Sequence, residues 1–217
     1  MIELHPEDDN LYHQKANLLK ILNNYSEAEK SYKKALEINP GKAQVLYDFG
    51  LLKLETSDVK GAEKFFSECI EADILFEKAF LQRGKLRLKR MELHEALHDF
   101  NDALQADKEN AEALFYSARV KENLHDNHGA LADYTKSIML KPEKESYIFR
   151  AKLKIRMGEM ESAFKDISKA LQIDPKNPRG YFLRAYLFKD MDKHYEAIED
   201  LTKAIEMKTD FAEAFIN

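Results

Sequence analysis

An alanine recurs along this chain at a nearly fixed interval: Ala28, Ala62, Ala96, Ala130, Ala163 and Ala197, in steps of 34, 34, 34, 33 and 34 residues. Four more columns keep step with it. One is small (Ala16, Gly50, Gly84, Ala118, Ala151, Ala185) and one is aromatic or aliphatic (Tyr32, Phe66, Phe100, Tyr134, Ile167, Leu201). A third is small again (Ala35, Cys69, Ala103, Ser137, Ala170, Ala204), and a fourth is large (Tyr12, Leu46, Phe80, Leu114, Tyr147, Tyr181). A shared period of this size is the mark of a linear array, in which each unit buries its apolar face on its neighbours instead of in one central core. The 217 residues amount to about 6.4 units.

Spacing inside a unit sets the local structure. Tyr12, Ala16 and Leu19 fall at i, i+4 and i+7, and Ala28, Tyr32 and Ala35 do the same. Each triplet makes one face of a helix. The polar stretch Asn23-Asn24-Tyr25-Ser26 separates them and predicts a turn, with Ser26 as the N-cap of the second helix. Each unit is therefore predicted to be a helix, a short turn and a second helix. Small residues let the two helices approach, and the large columns fill the space beside them. Four of the five prolines, Pro6, Pro40, Pro142 and Pro175, occupy one place in the period, where the missing N–H stops a helix. Ile74 and Lys108 stand at that place in two units, whose turns must close without proline.

Composition agrees and excludes other classes. Seven glycines among 217 residues favour helices over a sandwich or barrel, and 44% hydrophobic residues are too many for a disordered tail. No long apolar run is present, so no membrane span is expected. A single cysteine excludes an internal disulfide or a cysteine-rich metal framework. A net charge of −5 argues against general nucleic-acid binding. No phosphate-binding glycine loop is found, and no cofactor is expected. Without a charged-then-apolar leader, cytoplasm is the default expectation.

The columns, together with the segment Tyr195-Glu196-Ala197-Ile198 at the opening of a second helix, resemble the tetratricopeptide repeat family. The resemblance spans essentially the whole chain. Two departures are visible: no unit carries the family's tryptophan, and the fifth unit is reached after 33 residues, the missing residue falling in the turn around Pro142. The units are expected at 9–42, 43–76, 77–110, 111–143, 144–177 and 178–211, with the end of a preceding repeat at 1–8 and the start of a seventh at 212–217. Cuts within repeats suggest a piece of a longer array, with ends that could stack on one another in end-to-end self-association.

The resemblance implies an all-α, right-handed superhelical solenoid of antiparallel helix pairs, whose first helices line a concave groove. Its function would be a protein-interaction scaffold that holds a partner's peptide without catalysis. Groove candidates are Tyr47, Leu51, Lys78, Leu81, Lys85, Leu88, Phe115, Arg119, Ile148, Lys152, Phe182, Tyr186 and Lys189. An apolar row on a helix face marks an interaction surface unless neighbouring helices bury it. Cations outnumber carboxylates along these places, which favours an acidic peptide. The family's carboxylate clamp for chaperone tails is not matched. Its places carry His13, Asn17, Asp48, Lys78 and Gln82, and Asp48 would repel a carboxylate. The alternative reading is an architectural spacer or self-association module with an empty groove.

One string imitates an enzyme. His94-Glu95-Ala96-Leu97-His98 matches H-E-x-x-H, which on a helix sets two histidines toward zinc with the glutamate as base, and would make a zinc hydrolase. The repeat explains it better. Ala96 belongs to the alanine column, and Glu27 and Glu196 flank Ala28 and Ala197 as Glu95 flanks Ala96. Cys69 lies in a small column and reads as a buried packing residue.

Overall fold

The computed structural model describes residues 7–207, so most of the expected preceding-repeat end and all of the expected seventh-repeat start lie outside the described residues. The described residues form twelve α-helices and no strand. They fall into two compact units, Met1–Glu109 and Asn110–Asn217. The first holds α1 (Asp9–Ile21), α2 (Tyr25–Ile38), α3 (Ala43–Glu55), α4 (Val59–Ala72), α5 (Glu77–Lys89) and α6 (Leu93–Ala106). The second holds α7 (Ala111–Asn123), α8 (Asn127–Leu140), α9 (Lys144–Arg156), α10 (Met160–Ile173), α11 (Pro178–Asp190) and α12 (His194–Glu206). The protein is an all-α helical-repeat solenoid, with odd-numbered helices pairing with the even-numbered helices that follow them.

The turn inside each pair uses one device. Asn23, Ser57, Met91, His125, Gly158 and Asp192 recur at one place in the period, and all have positive φ. Gly158 alone among them adopts that conformation without a Cβ penalty. In three pairs the next residue then caps the second helix with its side chain. Asn24, Asp58 and Asp126 accept from the backbone N–H groups of Glu27, Gly61 and Gly129. This corrects the expected cap at Ser26: α2 begins at Tyr25, and Ser26 lies inside its first turn. The turns between pairs that lack proline close through an aspartate side chain, a bond that the Pro175 turn also makes, Asp174 accepting from the N–H of Lys176 at 3.0 Å. Asp73 accepts from the N–H of Leu75 and Asp107 from that of Glu109, at 2.9 and 3.0 Å.

Packing follows the alanine and small columns. Ala16, Ala28, Tyr32 and Ala35 form one buried floor, which Val45, Phe49 and Leu52 of the next first helix cover. In the second unit Leu153 covers Ala118, Ala130 and Tyr134, and Leu187 covers Ala151, Ala163 and Ile167. Within each unit, a leucine from a following first helix thus plugs the socket that a helix pair leaves. Cys69 is fully buried as expected. Its Sγ meets the Ala43 carbonyl at 3.2 Å, and burial pushes its thiol up to about 12.

A second device joins the helices within pairs. Arg83 grips Asp99 (Nη2–Oδ1 2.7 Å), Arg150 grips Asp166 (2.6 Å) and Arg184 grips Asp200 (Nε–Oδ2 2.7 Å), each 16 residues apart. Ser117 and Asp133 hold the same places, with Oγ donating at 2.7 Å. A second cation completes three of the four sites: Arg87 on Asp99, Lys121 on Asp133 and Lys154 on Asp166. In the α3–α4 pair an aromatic stack replaces the ions, Phe49 on Phe65 with ring centroids 4.0 Å apart. Asp99 has no exposed surface, and burial lifts its carboxyl above the usual value even though both arginines pull it down.

Candidate functional site

The first helices carry the thirteen groove candidates, and the structure sorts them. Leu81, Leu88 and Ile148 are 4–7% exposed, packed inside by neighbouring helices, and offer a partner almost no surface. Tyr47 and Leu51 are half-buried, and the Tyr47 ring lies 5.2 Å from that of Phe76. Lys78 is exposed and Lys85 half-buried. Phe182, Tyr186 and Lys189 line an open apolar cavity of about 410 Å³ between α11 and α12.

In the second unit, the candidates on α7 and α9 converge on a ring that the sequence reading passed over. Phe149 follows Ile148 and is half-buried where Ile148 is inside. The Arg119 guanidinium lies 5.0 Å from the Phe149 ring centroid and the Lys152 ammonium 5.8 Å from it. Phe115 meets Phe149 edge-on, with centroids 5.4 Å apart and planes at 86°. Tyr116 stands below Arg119 at 5.9 Å. Two cations within cation–π distance of one ring, with a second ring at its edge, offer positive charge and apolar surface side by side. Beside this patch is a polar cavity of about 370 Å³, which shares Phe115 and Tyr116 and is rimmed by Glu112, Lys141, Glu143 and Glu145. It adjoins the α8–α9 turn, which spans 141–143, one residue fewer than the other turns between pairs.

The clamp places in the first unit are occupied from within. His13 Nε2 lies 2.7 Å from Asp48 Oδ2, Gln44 also donates to Asp48, and the Tyr32 hydroxyl donates to Asn17. Burial pushes the Asp48 carboxyl up, but the hydrogen bonds from His13 and Gln44 outweigh it and hold the group below the usual range. Asp48 thus sets a negative charge, already paired with His13 and Gln44, at one of the clamp's places.

The H-E-x-x-H string lies on α6, with both histidines exposed. Among the described residues one set of three potential ligand groups comes together, His98, Asp99 and Asp102, and it includes neither His94 nor Glu95. His98 Nδ1 pairs with Asp102 at 2.8 Å, and Asp99 is already taken by two arginines. This geometry is a surface ion pair beside a structural one.

Models of the tetratricopeptide repeat match residues 10–42, 145–177 and 178–211. The chain is a tetratricopeptide repeat protein. Solved structures of the same fold include Pseudomonas aeruginosa pilF, with a TM-score of 0.81 at 18% identity over 93% of this chain and 92% of that one. YrrB, described as a TPR protein with an unusual peptide-binding site, superposes with a TM-score of 0.70 at 21% identity, over 85% of this chain and 95% of its own. By sequence, mouse (Mus musculus) sperm-associated antigen 1 is 34% identical over 76 residues, 35% of this chain and 8% of its own length. Bovine (Bos taurus) DnaJ homolog subfamily C member 3 is 36% identical over 70 residues, 32% of this chain and 14% of its own. The chain therefore spans only a small part of these curated relatives. Tetratricopeptide repeats are protein-interaction scaffolds, generally without catalysis, and that is the class of this protein. Among the described residues no helix is long and apolar enough to cross a membrane.

Proposed function

We propose that the first-helix face of the second unit, on α7 and α9, holds a peptide segment of a partner protein through an acidic residue. The observation that carries this is the convergence of Arg119 and Lys152 on Phe149. A carboxylate between the two cations gains charge-assisted contacts, while a neighbouring apolar side chain lies on Phe115 and Phe149. In the first unit Tyr47, Leu51, Lys78 and Lys85 extend the same reading to α3 and α5. YrrB, by its description a peptide-binding protein of this fold, lends the reading support. The helices are preorganised, so little ordering on the receptor side opposes binding. No catalytic step and no cofactor enter this function.

The test uses two fluorescent dodecapeptides that differ only at two central residues, Asp-Glu against Asn-Gln, titrated by polarisation. The acidic peptide is expected to bind at least tenfold tighter. Arg119→Glu with Lys152→Glu should abolish that preference and leave the circular dichroism melt nearly unchanged. Equal affinity of the two peptides for the wild type would sink the proposal.

A further inference from the structure

We propose that the peptide held at Arg119 and Lys152 also carries a lysine or arginine, within three residues of its acidic residue, and that this basic side chain enters the cavity beside Phe115 and Tyr116. It rests on the peptide reading of the α7–α9 face and adds the second half of the ligand. The cavity holds about 370 Å³, large enough to admit one long side chain, and all the residues lining it belong to the second unit.

Its walls and its rim differ in kind. Phe115 and Tyr116 stand edge to face, with centroids 5.2 Å apart and planes at 77°, and both are half-buried. They offer apolar surface to the methylenes of a long side chain and a π face to its charge. The rim carries three carboxylates, Glu112, Glu143 and Glu145, against one cation, Lys141. Lys141 is 70% exposed and pairs with Glu143 at 2.6 Å, a surface ion pair of little strength. Lys144 lies 3.8 Å from Glu145, but Asp174 holds it more closely, at 2.7 Å. The rim therefore keeps a net negative charge. That field reaches the wall: burial lifts the Tyr116 phenol above its ordinary value, and Glu112 and Glu143 push it further against the pull of Arg119. Glu112 and Glu145 stand in the first turns of α7 and α9. Those helix ends would attract an anion by themselves, but the glutamates already supply the charge.

Two neighbouring places of opposite sign share their rings. Phe115 meets the Phe149 ring that Arg119 and Lys152 flank, and it also lines the cavity. Tyr116 lies 5.9 Å from the Arg119 guanidinium and lines the cavity too. An extended segment advances about 3.3 Å per residue, so residues one to three apart reach both places. A run of acidic residues is disfavoured, because its second carboxylate would face the glutamates.

Fluorescence polarisation with a factorial set of dodecapeptides tests this. The central pair is Asp-Glu or Asn-Gln. At one place, one to three residues before or after the pair, stands lysine, norleucine or glutamate. In at least one placement lysine should bind about tenfold tighter than norleucine with either central pair, and glutamate more weakly than norleucine. Glu112→Gln with Glu145→Gln should level lysine with norleucine while the acidic pair keeps its advantage. Both glutamates are exposed, so the circular dichroism melt should stay nearly unchanged. Arg119→Glu with Lys152→Glu should do the reverse, removing the advantage of the acidic pair and keeping that of lysine. Lysine equal to norleucine at every placement overturns the proposal, as does a lysine preference that survives the loss of both glutamate charges. Equal binding of the two central pairs with the lysine preference intact would overturn the acidic anchor and leave the occupant of the cavity standing.

Discussion

At the scale of single residues, the small column and the aromatic column meet closely where glycine faces phenylalanine. A Cβ built on Gly84 would lie 2.8 Å from the Phe100 ring, and one on Gly50 would lie 2.6 Å from the Phe66 ring. Alanine holds this place opposite Tyr32 and Tyr134, whose hydroxyls reach Asn17 and Glu122, and in step with Ile167 and Leu201. At both places where phenylalanine holds the aromatic column, glycine faces it, and the ring fills the space a Cβ would take. Gly84→Ala gains about 1 kcal/mol of helix propensity, but overpacking a buried ring costs roughly 1–3 kcal/mol. A net loss of about 1 kcal/mol is expected in urea denaturation; a stabilised variant would show that the ring moves aside freely. The columns behind this contact were legible in the sequence because residue size at a helix crossing repeats with the period. The cap at Asn24 was not, because Asn24 and Ser26 are both good caps and only the left-handed Asn23 decides between them.

At the scale of elements, the ion pairs between helices were invisible to hydropathy. Arg83 and Asp99 read as solvent residues, yet Asp99 is fully buried. A search of the period for paired charges 16 residues apart would have found Arg83–Asp99, Arg150–Asp166 and Arg184–Asp200. Phe149 was passed over in favour of Ile148 for a related reason. Ile148 and Phe149 are both apolar, and only the packing of neighbouring first helices puts Ile148 inside and leaves Phe149 reachable. The aromatic stack of Phe49 on Phe65 shows that an apolar pair can stand where the ions do. Asp99→Ala leaves Arg83 without its carboxylate in a largely buried site and should cost about 3–5 kcal/mol. The double change Arg83→Phe with Asp99→Phe rebuilds the α3–α4 solution and leaves Arg87 its second partner, Glu63, at 3.6 Å. It should be less destabilised than Asp99→Ala alone. If chemical denaturation ranks the double variant as the weaker, the ion pair has a role that packing cannot replace.

At the scale of the whole molecule, stability should depend on pH through its carboxylates. Hydrogen bonds from lysine or arginine hold Asp9, Glu29, Glu63 and Asp174 below their usual values, and His13 with Gln44 does the same for Asp48 against its burial. A depressed folded value contributes stability that is present above the unfolded value, about pH 4, and is lost as pH falls through the folded one. Asp99, raised by burial, works the other way. The melting temperature should therefore drop between pH 6 and pH 3 in low salt. Because most of these pairs face solvent, 1 M salt should shrink that drop. A melting temperature that is flat over this range, or a drop that grows with salt, would contradict the assignment.

The buried arginine–aspartate bonds have a consequence for how such a chain changes length. Each joins the two helices of one pair and none depends on a carboxylate from the next pair. A genetic duplication or deletion of one whole period carries both halves of the bond together. Copies can therefore be gained or lost without leaving a buried charge behind, and the neutral Phe49–Phe65 version shows that a copy can later shed its charges in step. The ionic chemistry that holds a unit shut is also what makes it a movable cassette.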